Sequence, residues 1–136
     1  MDVVKIRTRS HSEFIAIDEE VQAFVTASGV KDGICHIFVP HTTAGITINE
    51  NADPDVVRDM MLILDRIVPW EGGYAHAEGN SAAHVKASMM GSSVQVLVND
   101  GRLQFGTWQS IYFCEFDGPR SRKAWVQITG DASQAG

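Results

Sequence analysis

The chain has only two cysteines, no excess of cations and no apolar run long enough to cross a bilayer. Each shortage removes a class of function. Cys35 and Cys114 sit in the apolar runs Ile34-Cys35-His36-Ile37-Phe38 and Ile111-Tyr112-Phe113-Cys114. A thiol there acts as a small buried hydrophobe, and no disulfide framework is expected. Eleven Lys and Arg against seventeen Asp and Glu give a formal charge of −6. Such a surface repels a polyanion and lacks the basic stripe that nucleic-acid binding uses, so nucleic acid is not an expected partner. A spanning helix needs about 20 consecutive apolar residues, and a secretory leader needs a cationic stretch followed by an apolar one. Neither pattern occurs, which leads to the expectation of a protein of the reducing cytoplasm with no membrane partner. A small phosphorylated or carboxylated ligand stays open, because a few local arginines outweigh net repulsion inside a cleft that excludes water.

The 136 residues suit one domain able to bury roughly two-thirds of the surface its unfolded chain exposes. Val4 to Arg9 alternates apolar or small with cationic side chains, the period of a half-exposed strand, and Glu13 to Ile17 is expected to pair with it as a hairpin. Asp18 is placed to cap a short amphipathic helix that ends before Gly29. Ile34 to Val39 reads as an apolar strand stopped by Pro40, and Ile46 to Ile48 resumes the extended pattern after a polar turn. Asp53-Pro54 supplies a cap and a proline at the first helical position, and Val57, Met60, Met61, Leu64 and Ile67 recur at helical steps until Pro69. Asn80 or Ser81 opens a third helix that closes at Gly91, with His84 in its first turns beside the loop carrying His76, so that these two imidazoles converge. The remainder is β-rich, with an Asn99-Asp100-Gly101 turn. About six to eight strands and three helices result, in one unit over residues 1–130, followed by a small, polar tail at 131–136 expected to fray.

His41, His76 and His84 stand among carboxylates, and a guanidinium-rich turn, Asp117-Gly118-Pro119-Arg120-Ser121-Arg122, follows. Three imidazoles can hold a divalent ion with a position left for water, and histidine donors favour zinc over magnesium. The spacing 41, 76, 84 matches no compact zinc signature, however, and the competing reading is histidines that hydrogen-bond loops. Arg120 and Arg122 alternate around Ser121, which on extended backbone sends both forks to one side, a pattern suited to a diphosphate. An ion pair with Glu115 or Asp117 is the alternative. Glu50, beside Asn49 at a strand end, is the candidate for proton transfer. Trp108-Gln109 offers an indole to stack on a heteroaromatic ring and an amide for its edge, with core packing as the rival. His11 and His36 read as structural or surface residues.

His41-Thr42-Thr43-Ala44, Asn49-Glu50, Tyr74-Ala75-His76, Asn80 with His84, Gly106-Thr107-Trp108-Gln109 and Glu115 to Arg122 occur in one order across nearly the whole chain. This ordered set resembles the YjbQ family, also called the secondary thiamine-phosphate synthase family. The resemblance implies an α+β domain with β-sandwich-like (jelly-roll-like), mostly antiparallel sheets and about three helices, assembled as a homotrimer, with suspected metal binding. It also implies a weak thiamine-phosphate synthase activity, joining a pyrimidine pyrophosphate to a thiazole phosphate. On that expectation His41, His76 and His84 hold zinc or magnesium, and Glu50, His41 and Arg120 serve catalysis. Thr42, Asn49, Asn80, Trp108, Gln109, Arg120 and Arg122 contact an anionic substrate. A metal-dependent hydrolase of a small phosphorylated or carboxylated metabolite, and a non-catalytic metal- or metabolite-binding module, are the alternatives.

Overall fold

In the opening strand, β1 (Asp2–Arg7), Val4 and Ile6 point inward while Val3, Lys5 and Arg7 face out, the alternation of a sheet with one solvated face. The computed structural model describes residues 1–132. After β1 come β2 (Glu13–Ala16), α1 (Asp18–Ser28), β3 (Val30–Phe38), β4 (Ala44–Glu50), α2 (Pro54–Ile67), α3 (Ser81–Met90), β5 (Ser93–Asn99), β6 (Arg102–Leu103), β7 (Gln109–Glu115) and β8 (Ser121–Ala132). Five strands form one sheet in the order β1-β8-β3-β5-β6, and three form a second in the order β2-β7-β4. All pairings are antiparallel.

The core between the sheets takes Val4 and Ile6 from β1, Ile37 from β3, Ile46 from β4, Ile111 and Phe113 from β7, and Val126 from β8, with Val21 and Val25 of α1 packed among them. On the other face of β7, Tyr112, Cys114 and Phe116 meet Ala83 and Ala87 of α3 and Leu64 of α2. β7 is thus buried on both faces, which accounts for its unbroken apolar run where a one-sided strand would alternate. Truncating Phe113, fully buried, to alanine would cost about 3–5 kcal/mol.

The β-sandwich-like α+β architecture with three helices agrees with the sequence-based expectation. The hairpin of the first two strands does not form. β1 pairs with β8 (Asp2↔Val126 to Arg7↔Ser121) and β2 pairs with β7 (Glu13↔Glu115 to Ala16↔Tyr112), so the connection between them crosses from one sheet to the other. Neither does Asp18 cap α1. Ile17 occupies the cap position, and Asp18 Oδ1 instead accepts the Ile111 N–H at 2.7 Å, pinning the helix start to β7. Asp53 caps α2 as predicted, its side chain accepting the Asp55 N–H at 2.9 Å ahead of Pro54. β5 and β6 join through Asp100 (φ 52°) and Gly101 (φ 74°), the left-handed pair of a type I′ turn. Asp131 and Ala132, placed with the tail in the sequence reading, extend β8 and pair with β3; residues 133–136 lie outside the described residues.

Candidate functional site

The turn between β7 and β8 is built by buried polar groups. Glu115 and Arg122 approach from the two different sheets, and the Arg122 Nε donates to Glu115 Oε2 at 2.7 Å while its NH2 group reaches Glu115 Oε1 and Thr43 Oγ1, the latter at 2.9 Å. Thr8 Oγ1 donates to Glu115 Oε2 at 2.9 Å, and the Asp117 N–H donates to Glu115 Oε1 at 2.9 Å. Burial would raise the Glu115 pKa, but the donations from Arg122, the Asp117 N–H and Thr8, with the Arg122 charge, outweigh it and hold the carboxyl below its ordinary value. The Gly118 N–H donates to His11 O at 3.0 Å, and a Cβ on Gly118 would stand 2.3 Å from Ser10 O, so only glycine lets the turn approach the β1–β2 connection this closely.

That approach sets His11 against Asp117 at the mouth of a cleft of about 660 Å³, lined by His11, Ser12, Asp65, Trp70, Lys86 and Asp117. The His11 ring meets the Trp70 indole edge-on at 4.5 Å between centroids, and His11 Nε2 lies 4.0 Å from Asp117 Oδ1. Asp117 Oδ2 accepts from Asn80 Nδ2 at 2.8 Å and from the Arg120 NH2 group at 3.0 Å, which fixes its carboxylate. Lys86, on the face of α3 that also buries Ala82, Ala83 and Ala87, has a side chain only 5% exposed, and its ammonium pairs with Asp65, whose side chain is 64% exposed. The cleft therefore combines a desolvated cation, an imidazole beside an oriented carboxylate and an aromatic wall.

The predicted site residues divide between two places. β4 pairs with β7 so that Ala44 opposes Glu115 at one end and Glu50 opposes Gln109 at the other, about 20 Å of strand apart. His41, Thr43 and Arg122 belong to the Glu115 end. Asn49, Glu50, Trp108 and Gln109 line a separate cleft of about 440 Å³ at the far end. There Glu50 Oε2 accepts the Asp53 N–H at 3.3 Å, Gln109 Oε1 accepts the Gly106 N–H at 2.8 Å, and Trp108 is exposed. Thr42 is exposed on the connection between β3 and β4, and Asn80 sits at the start of α3 bound to Asp117.

His76 and His84 converge as expected, with ring centroids 5.4 Å apart and the planes near perpendicular. His41 is committed elsewhere: its Nε2 accepts the Lys123 N–H at 3.0 Å, which consumes a ligating lone pair and puts the ring proton on Nδ1. Burial, and then the Arg122 charge, lower its pKa despite the opposing pull of Glu115. Among the described residues, no three His, Cys, Asp or Glu side chains gather to hold a metal ion. The paired-arginine fork also fails to form. Arg122 is spent inside the protein on Glu115 and Thr43, while Arg120 folds back onto the Asp117 carbonyl at 2.7 Å and carboxylate. Sequence reasoning missed Trp70, Asp65 and Lys86 and set His11 aside. The available signal was Lys86 itself, a cation among alanines on the inward face of a short helix.

A two-sheet α+β domain with a polar cleft at the end of its central strand is the class that fold and site define. Residues 2–131 match the family model described as UPF0047 protein YjbQ-like, and the chain belongs to that family. It is 51% identical to UPF0047 protein YugU of Bacillus subtilis over 96% of this chain and 99% of that one. It is 48% identical to a UPF0047 protein of Methanocaldococcus jannaschii, over 93% of this chain and 92% of that one. The crystal structure of a YjbQ/UPF0047-family protein from Clostridium acetobutylicum, 54% identical, superposes with a TM-score of 0.93 over 95% of this chain and all of the other. These relatives are named for the family and carry no synthase activity in their names. The expectation of a thiamine-phosphate synthase acting through a three-histidine metal centre, with its metal-dependent alternatives, is therefore corrected: the ligand set does not assemble, and kinship brings no such activity. No helix among the described residues is long and apolar enough to cross a membrane.

Proposed function

We propose that this chain binds a small anionic metabolite in the cleft formed by His11, Trp70, Lys86 and Asp117. The supporting observation is the asymmetry of the Lys86–Asp65 pair. Desolvating an ammonium costs several kcal/mol unless it is paired, and a purely structural pair buries both partners, as Glu115 and Arg122 do. Here the cation is buried at the cleft wall while its carboxylate stays in solvent, so a phosphate or carboxylate entering the cleft can take the place of Asp65. Trp70 supplies apolar contact for the rest of the ligand. The arrangement of His11 beside Asp117, which Asn80 and Arg120 hold still, favours proton transfer on the bound ligand, with His11 as the exchanging group and Asp117 as the residue that positions it.

Calorimetric titration with inorganic phosphate and with malonate tests this reading. Lys86→Met should weaken binding at least tenfold with the fold retained by circular dichroism, whereas Asp65→Asn, which removes the competing carboxylate, should leave binding equal or tighter. Unchanged affinity in Lys86→Met would refute the proposal. The same proposal includes the homotrimer that family resemblance implies, supported by the exposed apolar side chains of Leu62, Ile63 and Ile67 on α2. Light scattering giving only monomer would remove that part.

A further inference from the structure

Asn80 is 6% exposed and stands at the cap position of α3, yet its side chain makes no capping bond. Its amide is turned toward the cleft-lining Asp117 instead, with Nδ2 donating to Asp117 Oδ2 at 2.8 Å. That bond fixes which way round the amide lies, because the reverse orientation would set Oδ1 against a carboxylate oxygen that can only accept. Oδ1 is then left buried with no hydrogen-bond partner among the described residues. A buried acceptor without a donor is costly, and here it belongs to the amide that holds the cleft carboxylate.

Resting on the anion-binding reading above, we infer that the ligand carries, besides its phosphate or carboxylate, a hydroxyl or amino group that donates to Asn80 Oδ1. The two recognition points lie on one helix. Asn80 and Lys86 are six residues apart, about 9 Å along the axis of α3, and the lysine side chain shortens the gap. The donor therefore sits a few bonds from the anionic group rather than directly beside it. Asp117 and Asp65 leave carboxylate oxygens facing the same space, which suits an amine as well as a hydroxyl. A simple anion of equal length fills the cleft but leaves Oδ1 unsatisfied, so the site discriminates by a penalty on the wrong ligand as well as by contact with the right one.

The experiment compares two matched series by calorimetry: propyl, 3-hydroxypropyl and 3-aminopropyl phosphate, and butyrate, 4-hydroxybutyrate and 4-aminobutyrate. In the wild-type protein the hydroxylated and aminated members of at least one series should bind tenfold or more tightly than the plain member. Asn80→Ala should bring that ratio close to one while the plain member keeps its affinity within about threefold. Equal affinities across each series in the wild type, with binding still lost in Lys86→Met, would overturn the donor inference and leave the anion cleft standing. A preference that survives Asn80→Ala would assign it to the carboxylates and also overturn the inference. Binding of none of the six, or binding that Lys86→Met leaves unchanged, would overturn the cleft reading and this inference together. The wild-type comparison is decisive by itself if Asn80→Ala does not fold.

Discussion

Glu115 and Arg122 show what single residues contribute here. Both are buried, and they tie the two sheets together at the end where the cleft opens. Removing one partner strands the other charge in a dry environment, so Arg122→Met should destabilise the fold by about 3–5 kcal/mol in urea denaturation, and a double replacement by apolar residues should recover much of that loss. The pH dependence has a definite sign. The Glu115 carboxyl is held below its ordinary 4.5 and the His41 imidazole below its ordinary 6.5, so in acid the unfolded chain takes up each proton before the folded one does. Stability is complete above pH 6.5, declines first as His41 titrates in the unfolded state, and declines further below about pH 4.5 as the pH falls toward the folded Glu115 value. Stability against pH should lose its upper step in His41→Gln, and a profile as steep as the wild type between pH 5 and 6.5 would reject that role. Burial pushes the Cys35 thiol up to about 11 and that of Cys114 higher still. Neither should react with a thiol reagent at pH 8 until denaturant is added, and fast labelling of the native protein would show that the burial is wrong.

At the scale of elements, what the sequence revealed is what depends on neighbours along the chain. The Asp53-Pro54 start of α2, the Asp100-Gly101 turn and the glycine ends of α1 and α3 each follow from local backbone chemistry, and each stands where it was expected. The pairing of β1 with β8 is not local. It depends on residues more than a hundred positions apart, and no tight-turn signal in Ser10-His11-Ser12 announced or forbade a hairpin. The cleft was hidden for the same reason, since Lys86 and Asp65 come from different helices and His11 from a connection between sheets. The convergence of His76 with His84 was legible because one short stretch carries both. The position of α3 depends on Gly45 of β4, where a Cβ would lie 2.9 Å from Met90 Cβ and 3.0 Å from the Ala87 and Gly91 carbonyl oxygens. Gly45→Ala should therefore push α3 outward and cost about 1–3 kcal/mol. Since α3 carries Asn80 and Lys86, the variant should also bind anions more weakly, and undiminished affinity would show that the helix position does not control the cleft.

Across the whole molecule, the two sheets form a scaffold and polar chemistry collects at its ends. The resemblance carried by the ordered motifs identified the family and the architecture correctly, yet its gathered three-histidine centre did not follow. The motifs mark both ends of β4 and β7, and a protomer folded this way cannot bring Glu50 to Arg122. One end instead offers a buried ammonium behind a displaceable carboxylate, an imidazole and an indole. The most direct measurement of that claim is a crystal of the protein soaked in selenate, an anion whose position anomalous scattering reveals. The account predicts a selenium peak within about 4 Å of Lys86 Nζ, the usual ion-pair reach, with the Asp65 side chain turned away. Selenate bound only elsewhere, with the Lys86–Asp65 pair intact, would contradict it.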